Sequence, residues 1–84
     1  MFSKELFGRR ILELRNSRRE TQSELGERLG IKKNQVSEIE RGNRSTSAER
    51  IVLLCLHYGV SADYLLGLTD DPAPGRQTDE AHPE

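Results

Sequence analysis

Between Gly30 and Gly42 the chain reads GIKKNQVSEIERG, and six side chains in it suit either a polyanion or the edge of a base. Lys32, Lys33 and Arg41 supply cations, Asn34 a paired donor and acceptor, Ser37 a hydroxyl and Glu38 a carboxylate. On a helix turning about 100° per residue, Val36 and Ile39 share one side, while Lys33, Asn34, Ser37, Glu38 and Arg41 fill the opposite arc. Such polar groups can address a major groove: lysine to guanine acceptors, asparagine to adenine, glutamate to the amino group of cytosine. An ordinary solvated surface helix fits the same wheel. Lys32 and Lys33, however, stand at the positive end of this helix, and position 32 offers no Ser, Thr, Asp or Asn as a cap. A phosphate bound there would answer both deficits.

The total charge argues the other way, because the 84 residues carry a net charge of −1. Its distribution removes the objection. Residues 1–69 hold 12 Lys and Arg against nine acids, a balance of +3, whereas residues 70–84 hold one Arg against five acids, a balance of −4. The acidity belongs to the C-terminal stretch, and the remainder is mildly basic, as a nucleic-acid-binding domain requires.

Five helices are expected to position these groups. The first runs from about Ser3 to Ser17, with Phe7, Ile11 and Leu14 on one stripe, Ser3 as N-cap and Arg15, Arg18 and Arg19 at its end. Thr21 and Glu24 have capping-box spacing at the start of the second, which buries Leu25 and Leu29 and stops at Gly30. Gly26 inside it marks either a close crossing or neutral drift. The third is the opening stretch, Lys33 to Arg41, ended by a left-handed Gly42. Either Thr46 or Ser47 caps the fourth. Ile51, Val52, Leu53, Leu54 and Leu56 make this helix apolar nearly all round, so it is expected to be the central buried element. Ser61 caps a short fifth helix ending at Gly67. Helix, short turn around Gly30 and helix over residues 21–42 is the form of a helix-turn-helix.

Residues 70–84 contain three prolines and no large aliphatic side chain, so an acidic, disordered tail is expected after a 1–69 domain. Cys55 is the sole cysteine, and His57 and His82 lack ligand-spaced partners, so no disulfide, metal or cofactor is anticipated. The longest apolar run, Ile51 to Leu56, falls far short of the roughly 20 residues that span a bilayer. With no signal-like N-terminus, a soluble cytoplasmic protein is expected. No nucleophile sits beside a base and no Gly-rich phosphate loop occurs, which speaks against an enzyme.

These segments resemble the helix-turn-helix domain of phage-repressor-like regulators, the Cro-like or xenobiotic-response-element family. The shared features are Leu14-Arg15, TQSEL at 21–25, RLGI at 28–31, VSEIERG at 36–42 and YGVSADYLLG at 58–67. The resemblance implies an all-α, five-helix, lambda-repressor-like domain whose third helix enters the major groove. By position it places Lys33, Asn34, Ser37 and Glu38 on bases, and Gln22, Lys32, Arg41, Asn43 and Arg44 on phosphates. Gln22 would also brace the recognition helix, and Arg15 with Glu40 would form a charged pair linking the first and third helices. Three departures stand out: Arg19-Glu20 where Gly-Leu is usual, Gly26 for alanine, and Lys32 for a Ser or Thr cap.

The expected function is that of a sequence-specific regulator of double-stranded DNA, a repressor binding a near-palindromic operator as a homodimer. Tyr64, Leu65 and Leu68 are candidates for the dimer surface, or else they close the core. A protein-interaction module of the same fold, an antitoxin or anti-repressor partner using the acidic tail, is the competing reading.

Overall fold

The computed structural model describes residues 2–74, and among these all regular structure is helical. The elements are α1 (Lys4–Ser17), α2 (Gln22–Leu29), α3 (Lys33–Glu40), α4 (Ala48–Tyr58) and α5 (Ala62–Leu66). Four helices begin on a hydroxyl that accepts from a first-turn N–H. Ser3 accepts from Leu6, Thr21 from Glu24, Ser47 from Arg50 and Ser61 from Tyr64. Thr21 completes its capping box, since its own N–H donates to Glu24 Oε1 at 2.8 Å. Ser47, not Thr46, caps α4.

Each helix also ends on a residue with positive φ: Arg19, Gly30, Gly42, Gly59 and Gly67. Arg19 is the exception in kind, holding φ 56° with a side chain that makes this region costly.

The core gathers Phe7 and Ile11 from α1, Leu25 and Leu29 from α2, Val36 and Ile39 from α3, Leu54 and Tyr58 from α4, then Val60 and Leu65. Burying each large aliphatic side chain contributes about 1.5–3 kcal/mol, enough to fix helix faces in so small a domain. Two glycines make the packing possible. A Cβ on Gly8 would stand 2.1 Å from the carbonyl oxygen of Ile39, so α1 and α3 touch backbone to backbone. A Cβ on Gly26 would stand 2.7 Å from the carbonyl oxygen of Ile31, and the turn folds back directly over α2.

The fourth helix departs from expectation. Leu54 and Tyr58 are buried, but Val52, Leu53 and Leu56 are exposed by 56%, 41% and 76%. It is an outer helix that buries one apolar face and leaves a second apolar face exposed. A five-helix domain has too few elements to surround it.

The Arg19-Glu20 departure has a polar solution. Glu20 turns its carboxylate inward, where the Tyr58 hydroxyl donates to one oxygen and His57 Nε2 lies 2.7 Å from the other. Arg18 donates to the carbonyls of His57 and Tyr58, completing the end of α4. Burial, then the bond to Glu20, holds the Tyr58 phenol well above its ordinary pKa.

Residues just past α5 are tied down. Arg10, 7% exposed, lies 4.1 Å from the centre of the Tyr64 ring. It donates to the carbonyls of Tyr64 and Thr69 and to Asp70 Oδ1. The Ser61 N–H donates to the Pro72 carbonyl at 3.2 Å. Asp70 and Pro72, within the tail expected from residue 70, are thus bonded to Arg10 and Ser61, and residues 75–84 of that segment lie outside the described residues. Among the described residues no helix is long and apolar enough to cross a membrane.

Candidate nucleic-acid interface

The turn between α2 and α3 is closed by the Ile31 N–H donating to the Gly26 carbonyl at 2.9 Å. Partly buried Ile31 packs on the core, and buried Val36 and Ile39 seat the inner edge of α3. Lys32 offers no acceptor to the first turn. Instead Gln35 Oε1 accepts from the Lys32 N–H at 2.9 Å, half of a capping box. Sequence reading passed over Gln35, although its spacing from position 32 carried the signal.

A buried brace fixes how α3 is presented. Arg15 Nε donates to Glu40 Oε2 at 2.6 Å and Nη2 to Glu40 Oε1 at 3.0 Å. Its Nη1 donates to the Glu20 carbonyl at 2.7 Å. Gln22 Nε2 adds a bond to Glu40 Oε1 at 2.9 Å. The Arg15 and Glu40 side chains are only 11% and 4% exposed, so this two-pronged pair is desolvated and strong only while intact. The hydrogen bond to Glu40 raises the pKa of Arg15 further.

The opposite side of α3 faces outward. Lys32, Lys33 and Asn34 are exposed, and Ser37 and Glu38 are half-buried beside them. Arg41, Asn43 and Arg44 are exposed just beyond the helix. Gln22 is half-buried, one of its amide hydrogens committed to Glu40. Glu38 is engaged within the chain: Oε1 accepts from Asn43 Nδ2 at 3.1 Å, and Oε2 lies 3.5 Å from Arg41 Nη1. Position on the wheel could not have disclosed the bond to Asn43, which lies beyond the helix.

The expected dimer candidates separate. Leu65 is fully buried and belongs to the core, which removes it from any surface. Tyr64 is half-buried under Arg10, and Leu68 is 73% exposed. Among the described residues no cluster of three His, Cys, Asp or Glu could hold a metal. Cys55 is half-buried, and burial pushes its thiol pKa up.

A helix-turn-helix family model matches residues 11–65. The uncharacterized HTH-type transcriptional regulator YobD of Bacillus subtilis is 36% identical over 69 residues, covering 82% of this chain and 62% of the relative. The HTH-type transcriptional regulator ImmR of the same organism is 38% identical over 72 residues, covering 86% and 56%. The chain thus spans little more than half the length of these curated relatives. Among solved structures, the P22 c2 repressor in complex with a synthetic operator superposes with a TM-score of 0.68 at 31% identity. That match covers 73% of this chain and 92% of the repressor.

Proposed function

From the premise that this chain belongs to the helix-turn-helix family, in its xenobiotic-response-element branch of non-enzymatic DNA-binding regulators, we propose a sequence-specific transcriptional repressor. It binds a near-palindromic operator as a homodimer, with α3 in the major groove. One observation carries this reading. The inner edge of α3 is locked by Arg15, Glu40 and Gln22, while its outer side presents Lys33, Asn34 and Ser37 with no side-chain partner among the described residues that would explain them.

Lys33 and Asn34 suit guanine and adenine edges, and Ser37 suits either. Lys32, Arg41, Asn43, Arg44 and the second amide hydrogen of Gln22 serve phosphates, which position the helix without reading sequence. Two copies would read half-sites about 34 Å apart. The exposed Val52, Leu53 and Leu56 on one face of α4 offer an apolar surface on which a second copy can seat, and Leu68 is exposed past α5.

Selection from randomised duplex DNA tests the proposal. The expected outcome is a two-fold-symmetric site, with Lys33→Ala relaxing preference at one base pair per half-site. Lys32→Ala and Arg44→Ala should weaken all sequences evenly and flatten the salt dependence. Failure to enrich any sequence at low salt would favour a protein-interaction module built on the same fold.

A further inference from the structure

Glu38 stands at the rim of the outward arc of α3, the position from which a carboxylate would accept from cytosine. Its surroundings fit another task. The end of α3 is a Schellman turn: the Gly42 N–H donates to the Ile39 carbonyl and the Asn43 N–H to the Glu38 carbonyl, both at 3.0 Å. This turn brings the side chains of residues 38 and 43 together, where an apolar pair is common. Here the pair is polar, with Asn43 Nδ2 donating to Glu38 Oε1 at 3.1 Å. Arg41, one residue before the turn glycine, brings its guanidinium to 3.5 Å from the other oxygen. Both carboxylate oxygens are therefore met by groups from the segment assigned to the phosphate backbone.

We infer that Glu38 is a positioning residue rather than a base reader: it holds Asn43 and Arg41 in register over the phosphates flanking the base contacts of α3. The inference rests on the regulator reading above. A bare carboxylate facing DNA would be repelled by the phosphates. A carboxylate already shared between an amide and a guanidinium has part of its charge offset and its acceptor capacity in use. Turning the carboxylate toward cytosine would compete with the bond to Asn43 and the contact with Arg41, and so loosen both phosphate ligands. Staying in place keeps them ordered before binding, which lowers the entropy lost on association.

The test measures affinity for the selected operator and for random duplex in the unaltered protein, Glu38→Ala, Glu38→Gln, Asn43→Ala and the double variant Glu38→Ala/Asn43→Ala. Removing a negative charge raises affinity for any duplex, so the ratio of the two affinities is the readout. Glu38→Ala and Asn43→Ala should each lower that ratio about three- to tenfold, and the double variant no further than either alone, because a phosphate ligand held in fixed register is used fully in the aligned operator complex and little in shifting contact with random duplex. Glu38→Gln keeps a carbonyl oxygen for Asn43 and should retain most of the ratio. The base pattern of the selected site should stay the same throughout. A changed base preference in Glu38→Ala, strictly additive losses, or an unaltered ratio in Asn43→Ala would overturn the inference while leaving the regulator reading standing. No enrichment by the unaltered protein would overturn that reading and this inference with it.

Discussion

The ends of α1 and α3 are built on the same backbone turn and put to opposite uses. At each, a left-handed residue, Arg19 or Gly42, brings the residue three positions past the helix back over the third residue from its end. The paired residues are Arg15 with Glu20 in one case and Glu38 with Asn43 in the other. The first pair faces inward, where Arg15 is 9% exposed and the Glu20 carboxylate meets His57 and Tyr58. The second faces solvent, with the Glu38 side chain 42% exposed. Backbone geometry decides that the two residues meet, through a backbone carbonyl at Glu20 and through side chains at Glu38, and burial decides whether the meeting stabilises the fold or equips a surface.

Substitutions should expose that contrast as a descending series in stability. Arg15→Ala leaves the carboxylate of Glu40 buried without its cation and should cost about 3–5 kcal/mol, read as a lowered urea midpoint. Glu20→Ala removes the acceptor of the Tyr58 hydroxyl and should cost about 1–3 kcal/mol in the same measurement. Arg19→Gly should act in the opposite direction, stabilising by up to about 1 kcal/mol, because glycine takes positive φ without strain but gives up more chain entropy. Glu38→Ala, last in the series, should shift the midpoint by less than about 0.5 kcal/mol while altering DNA discrimination. If Glu38→Ala cost as much as Glu20→Ala, the division between inward and outward turns would collapse.

A pH experiment sharpens the inward half. The Tyr58 phenol is held above its unfolded value of about 10, first by burial and then by Glu20. The folded state thus keeps a proton that the unfolded chain gives up. Stability from this source is complete below about pH 10 and declines as the pH rises beyond it. Tyr58→Phe should remove that part of the alkaline decline in a thermal-unfolding series.

Much of this organisation was legible in the chain. Ser3, Thr21 with Glu24, Ser61 and the glycines after α2 to α5 act locally, so spacing alone placed the helix ends. The amphipathic pattern of residues 21–42 placed the helix-turn-helix for the same reason. What failed depended on distant neighbours. Val52, Leu53 and Leu56 look like core from composition, and nothing local says that no element covers them. Leu65 and Leu68, three residues apart and chemically alike, separate into core and surface because the chain turns at Gly67 between them. Glu20 was legible as a departure but not as a solution, since its partners lie 37 and 38 residues further on.

The bare backbone contact at Gly8 also bears on motion. A helix packed through long side chains can rock while those side chains change rotamer, but one resting on another helix's carbonyls has no such cushion. With Ile39 and Glu40 seated against Gly8, the outward side of α3 moves with α1 as a single rigid piece. On the proposed reading, α3 would arrive at its target with little freedom left to lose, and errors of approach would fall on the whole domain rather than on the helix.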